Sequence, residues 1–162
     1  MNTTQVVMLT CLALATLFIV LTTGCHKSAV GSEIKHDIAA LGSADFQTIR
    51  KAQSRITARG EAALPELFET LDSSNNEQQT ALCYYLIGTI DKYAYKNVLT
   101  KVKTAAKLCI ALRYPNKESI NALDSESKLE IRNAIEKIRA SNPAIDLRCA
   151  DEVLNALGSS AQ

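Results

Sequence analysis

Residues 62–90 read AALPELFETLDSSNNEQQTALCYYLIGTI. In the first part, Leu64, Leu67, Phe68 and Leu71 recur at steps of three and four, the spacing of one helical face. Asp72-Ser73-Ser74-Asn75-Asn76 follows, a run of residues that favour turns. From Glu77 to Ile90 the helical period returns, with Leu82, Tyr85, Leu86 and Ile90 apolar. Two amphipathic helices joined by a short polar turn form an αα-hairpin, and each buries its stripe only against the other or a neighbour. Leu67, Leu71, Leu82 and Leu86 are therefore expected in the core.

The same period extends in both directions. A short helix is expected over Ser32–Leu41, capped by Ser32 and stopped at Gly42. Ser43 or Asp45 caps the next, which places Phe46, Ile49, Ala52 and Ile56 on one face and ends before Gly60. Beyond residue 90, a helix over Tyr95–Arg113 is closed by Pro115, because the residue before proline resists the helical region. A further helix spans Ser125–Ala140, with Leu129, Ile131, Ile135 and Ile138 apolar. Asn142-Pro143 breaks it, and a last helix runs from Pro143 to Leu157 before Gly158. No stretch alternates with period two. The expectation is an all-α domain over 32–162, with six or seven helices stacked as antiparallel pairs.

Gly60, Ala63-Leu64-Pro65-Glu66-Leu67, Leu71, the polar turn, then Ala81, Leu86 and Gly88 resemble a degenerate HEAT-like repeat. Ala94, Val98 and Leu99 look like a weaker second copy. Ser73 and Gln79 hold the places where that family carries an Asp and an Arg. The resemblance covers residues 43–103 and implies a short helical array that serves as a binding surface. Read from periodicity alone, the same residues also suit an irregular helical bundle.

Residues 1–25 carry no charged side chain, and Val6–Val20 is almost wholly apolar. A full membrane span needs about 20 apolar residues. An apolar run this short, ending in small residues, reads as a secretion leader with a processing site. The residues also admit an uncleaved anchor helix, or a buried apolar helix. Leu21-Thr22-Thr23-Gly24-Cys25 resembles the lipobox of bacterial lipoproteins, with Gly24 as the small residue before the cysteine. That resemblance implies a signal peptide over 1–24 and lipidation at Cys25. It also implies a tether over 25–31 and an envelope location facing the periplasm. His26, rather than Asp, after the cysteine implies the outer membrane.

The chemistry of the remaining chain is sparse. There are two histidines, His26 and His36, and no metal-ligand cluster, nucleophile elbow or phosphate-cradling loop. Pairs such as Glu126 with Glu130 and Asp151 with Glu152 have the spacing of solvated helix faces. The expectation is a protein without catalytic residues, metal or cofactor. A net charge of +1 gives no reason to expect nucleic acid. Of five cysteines, Cys83, Cys109 and Cys149 remain beyond the leader and Cys25. Buried free cysteine is common, and an oxidising compartment permits pairing. Cys109 and Cys149, both near apolar faces of C-terminal helices, are the candidate disulfide.

Charge is segregated. Residues 60–91 contain Glu61, Glu66, Glu69, Asp72, Glu77 and Asp91 and no Lys or Arg. Residues 92–117 reverse this, with Lys92, Lys96, Lys101, Lys103, Lys107, Arg113 and Lys117; Glu and Asp are absent there. Lys92, Lys96, Lys103 and Lys107 would share a face of one continuous helix. With Tyr84 and Tyr95 they form the candidate partner surface. The expected function is a lipid-anchored, non-catalytic module that binds another envelope or secreted protein. A periplasmic inhibitor or toxin-immunity lipoprotein is the alternative.

Overall fold

The computed structural model describes residues 31–158. The leader, Cys25 and the tether up to residue 30 lie outside the described residues. By its contacts the chain divides at Asp37. Of the first unit residues 31–36 are described, and they are helical. The helical run, α1, covers residues 31–40 and ends in a turn at Leu41–Gly42.

Eight helices follow: α2 (Phe46–Arg59), α3 (Leu64–Ser73), α4 (Glu77–Ile90), α5 (Lys92–Thr100), α6 (Ala105–Ala111), α7 (Lys117–Asn121), α8 (Ser125–Ser141) and α9 (Arg148–Gly158). A 3-10 turn, Gly60–Ala63, joins α2 to α3. No strand occurs among the described residues, and the fold is all-α.

The helix starts are written in short polar side chains. Asp45 accepts from the backbone N–H groups of Gln47 and Thr48 at 3.2 and 2.9 Å. Asn76, Asp91, Thr104, Asn116 and Asp124 do the same at the starts of α4 to α8. Each satisfies N–H groups that the helix leaves without a partner. Pro65 sits in the first turn of α3, where its missing N–H costs nothing. Gly60 ends α2 at φ 56° and ψ −136°, a conformation that disfavours any side chain.

Helix α4 is the centre. It packs against α2, α3, α5 and α6, and its buried residues are Thr80 to Tyr84 and Leu86 to Gly88. A helix covered on nearly all sides has little use for a polar face. Its N-terminal glutamines finish α1. Gln78 Nε2 donates to the carbonyls of Leu41 and Ser43, both at 3.1 Å, and Gln79 Nε2 donates to that of Ile38 at 2.9 Å. Helix termini leave such carbonyls short of partners; Ile38 O also accepts from the backbone N–H of Leu41 at 3.1 Å. On α2, Arg55 meets Asp37 at 2.6 Å, and the Asp37 side chain is almost fully buried.

At the other end of α4, Asn116 is buried and every polar atom of its side chain is used. Its amide donates to Tyr85 O at 3.1 Å and Thr89 Oγ1 at 2.9 Å. Its Oδ1 accepts from Ser119 N at 3.0 Å. Its backbone N–H donates to Tyr95 Oη at 3.3 Å, and Ser119 Oγ donates to Gly88 O. The chain comes close here: a Cβ on Gly88 would lie 3.0 Å from Asn116 Cβ and 3.1 Å from the Tyr95 ring.

Several expectations are corrected. The helix expected over Tyr95–Arg113 is two helices, with a break at 101–104. Thr104 leaves the helical region (φ −128°, ψ 149°) and caps α6 through its hydroxyl. Helix α7 lies between Pro115 and Ser125, where the periodicity assigns no helix; it begins on Asn116 and buries Ile120 completely. Helix α9 starts at Arg148 rather than Pro143, and the backbone N–H of Arg148 donates to Asp146 Oδ1 at 3.0 Å. Phe46 is 64% exposed, with the Arg50 guanidinium over its ring. Leu129 is 54% exposed. The buried stripe of α8 is Ser127, Ile131, Ile135 and Ile138, and two residues of helix turn Leu129 away from it. Leu67, Leu82 and Leu86 are buried as expected, whereas Leu71 is half-buried.

Candidate interaction surface

The break at 101–104 separates the four lysines expected on one helical face. Lys92 and Lys96 stand on α5, Lys103 on the connection and Lys107 on α6. Lys92 Nζ donates to the carbonyl of Ala122, the residue closing α7, at 2.7 Å. Lys96 meets Glu130 of α8 at 2.9 Å. That hydrogen bond holds the Lys96 ammonium above its ordinary pKa. Lys103 and Lys107 are exposed.

Neither Tyr84 nor Tyr95 stands out on the surface. Tyr84 is 7% exposed and Tyr95 is fully buried; burial pushes the Tyr95 hydroxyl up to about 12. Among the described residues, the exposed large aromatics are Phe46, Tyr93 and Tyr114.

The basic block pairs both with the acidic block and with the C-terminal helices. Arg113 reaches Glu77 of the acidic block at 2.7 Å. Lys96 and Lys117 turn instead to Glu130 and Glu152, on α8 and α9. Glu152 is held below the usual carboxylate range by its hydrogen bond to Lys117. Three of the four carboxylates noted as pairs are engaged with bases: Asp151 is bound by Arg139, Glu152 by Lys117 and Glu130 by Lys96. Among the described residues, no group of three His, Cys, Asp or Glu side chains is placed to hold a metal. Nor, among them, is any helix long and apolar enough to cross a membrane.

Two grooves remain. The larger, about 590 Å³, lies between α3 and α5. Leu64, Phe68 and Leu71 form one wall and Ala94 and Val98 the other, with Tyr84 also lining it. Asp72 and Asp91 add negative charge and Lys101 and Lys107 positive charge to the lining. The groove continues past Leu71, Asp72 and Tyr84 toward Asn75, Thr80 and Ile110. The second, about 480 Å³, lies between α2 and α4. Phe46, Ile49, Leu82, Tyr85 and Tyr114 line it. The periodicity placed Leu64, Phe68 and Leu71 on one inward face, while Ala94 and Val98 entered only through the resemblance to a second HEAT-like copy. A stripe facing a neighbouring helix and one facing a cleft have the same spacing.

The candidate cysteines lie together. Cys109 is on α6 and Cys149 is in the first turn of α9, with their Sγ atoms 2.9 Å apart. Both are half-buried. Burial, followed by the hydrogen bond with Cys109, pushes the Cys149 thiol up to about 12. Cys83 is fully buried in α4, and burial raises its thiol to about 12 as well.

No known family model matches the chain, and no curated protein or solved structure matches it.

Proposed function

We propose that this protein is a lipid-anchored envelope protein that holds a partner protein in the groove between α3 and α5. The anchor rests on the leader and Cys25, on which acyl chains would fix the domain to a bilayer. The reading of the domain rests on one observation: a cleft with aliphatic and aromatic walls and charges of both signs. Such a cleft suits an amphipathic segment whose apolar side chains enter it while its charged ones meet the edges. The HEAT-like reading of residues 43–103 agrees, since helical arrays of that kind act as binding surfaces. No step of bond making or breaking is needed.

The test is made in intact envelopes. Labelled fatty acid is expected in the wild type and not in Cys25→Ser; equal labelling, or none in either, overturns the anchor. Crosslinked recovery of a partner is then compared between wild type and a double variant, Lys101→Glu with Lys107→Glu. Both lysines are exposed, so the fold is expected to survive, as circular dichroism would check. Recovery should fall in the variant and weaken with salt in the wild type. Equal recovery at every salt concentration would remove the groove from the proposal.

A further inference from the structure

We infer that Cys109 and Cys149 close into an intramolecular disulfide that staples α9 to α6. Their sulfurs are 2.9 Å apart, about 0.9 Å beyond a bond length of about 2.05 Å. A small adjustment of two side chains therefore covers the difference. The neighbourhood already fixes the approach. Helix α9 packs against α6, α7 and α8. Ala150 and Val153, just beyond Cys149, are fully buried. Glu152 is tied to Lys117 of α7, and Asp151 to Arg139 of α8. Neither sulfur has to search for the other.

The reaction needs an external oxidant, a disulfide donor of the glutathione or thiol–disulfide oxidase class. One cysteine loses its proton and attacks a donor sulfur, giving a mixed disulfide and releasing one donor thiolate, which takes up a proton. The second cysteine loses its proton and attacks the mixed disulfide at the protein sulfur. The second donor thiolate leaves and is protonated. Two protein thiols are oxidised by two electrons, and one donor disulfide is reduced to two thiols. Both cysteines are half-buried, so a donor can reach a sulfur. Cys83 is sealed inside α4 and stays reduced. Reactive redox cysteines have lowered pKa values; burial and the hydrogen bond with Cys109 move the Cys149 thiol the other way.

The full chain, purified reduced in detergent, is incubated with oxidised glutathione, quenched with acid and alkylated. A linked peptide pair carrying Cys109 and Cys149 is expected in the monomer, with Cys83 alkylated after unfolding. Cys83→Ala should keep the link, and Cys149→Ser should abolish it without creating another. Mapping by peptide separates this pair from links through Cys11 or Cys25. Glutathione adducts alone, full alkylation of both cysteines after long exposure, or a link between chains would overturn the inference. The oxidant is supplied, so the result does not depend on the compartment. A negative result would leave the proposed anchoring untouched.

Discussion

Helices α4 and α9 solve the same problem in different ways. Helix α4 is enclosed by four others, and a neutral polar network centred on Asn116 links it to α5 and α7. Helix α9 lies at the edge. It buries one stripe, Ala150, Val153, Leu154 and Leu157, and holds its other side with Lys117–Glu152 and Arg139–Asp151. Enclosure makes α4 insensitive to solvent and sensitive to shape. Exposure makes α9 the reverse. The difference also tells where new chemistry can enter the fold, since an oxidant can reach a sulfur at α9 and none in α4.

Shape gives the largest expected effect. Leu86 is 1% exposed and surrounded. Leu86→Ala should cost about 4 kcal/mol, near the top of the range for such truncations, because enclosed walls collapse little. Leu157, 5% exposed near the chain's end, should cost about 2 kcal/mol on the same change, as its surroundings relax. Denaturant unfolding of the two variants measures the contrast. Equal losses would show that α9 is as enclosed as α4.

The staple is the next test of the contrast. Cys109 and Cys149 are 40 residues apart in sequence, and closing a loop of that length stabilises by up to about 4 kcal/mol in the chain-entropy view. The oxidised chain should therefore unfold at a higher denaturant midpoint than the same chain kept in reductant. The gain should vanish in Cys149→Ser. An unchanged midpoint on oxidation would mean that α9 is already fully held without the bond.

Asn116 comes third. Asn116→Ala removes the cap on Ser119 N and takes one of the donors from Tyr85 O, which keeps the Thr89 hydroxyl. A loss of about 2–3 kcal/mol is expected, with the salt dependence of unfolding unchanged because no ion is involved. A loss well under this would show that water replaces the amide there.

How far the sequence could be read follows the same division. The hairpin α3–α4 was legible because Asn76 is a strong cap at the end of a polar turn and Leu67, Leu82 and Leu86 keep helical spacing. The break after α5 was not. Lys101-Val102-Lys103 continues a helical pattern, and only Thr104 signals the cap that restarts it. That single error carried the lysine stripe with it, since one face needs one helix. Helix α7 is five residues long, too short for a period, and its sign was Asn116 directly after Pro115. Asp146 was the corresponding sign for α9. Of the candidate surface, residue type could not separate Tyr84 and Tyr95, which are buried, from Tyr93 and Tyr114, which are exposed. The two cysteines were placed on helices by periodicity, but their approach depends on how α9 folds back on α6, which no local pattern encodes.

The smallest effect concerns acid. Glu152 has its pKa lowered from an ordinary value of 4.5 by the hydrogen bond to Lys117, with their mutual attraction second. A group whose pKa falls on folding stabilises the folded state when it is ionised. The contribution is complete above 4.5 and disappears as the pH drops through the lower folded value. Glu152 is exposed, so the loss is small in global stability and local in place. The network around Asn116 joins amide, hydroxyl and carbonyl groups, none of which takes up a proton in that range. Amide hydrogen exchange on either side of pH 4 separates the two helices, once intrinsic rates are corrected. Protection in α9 should fall on acidification, while protection in α4 stays level. Reducing the Cys109–Cys149 pair should enlarge the fall. Glu152→Gln should remove most of the pH dependence, because a neutral side chain has no proton to gain. If α4 loosens at the same pH as α9, the two helices open as one cooperative unit, and the contrast between centre and edge does not hold.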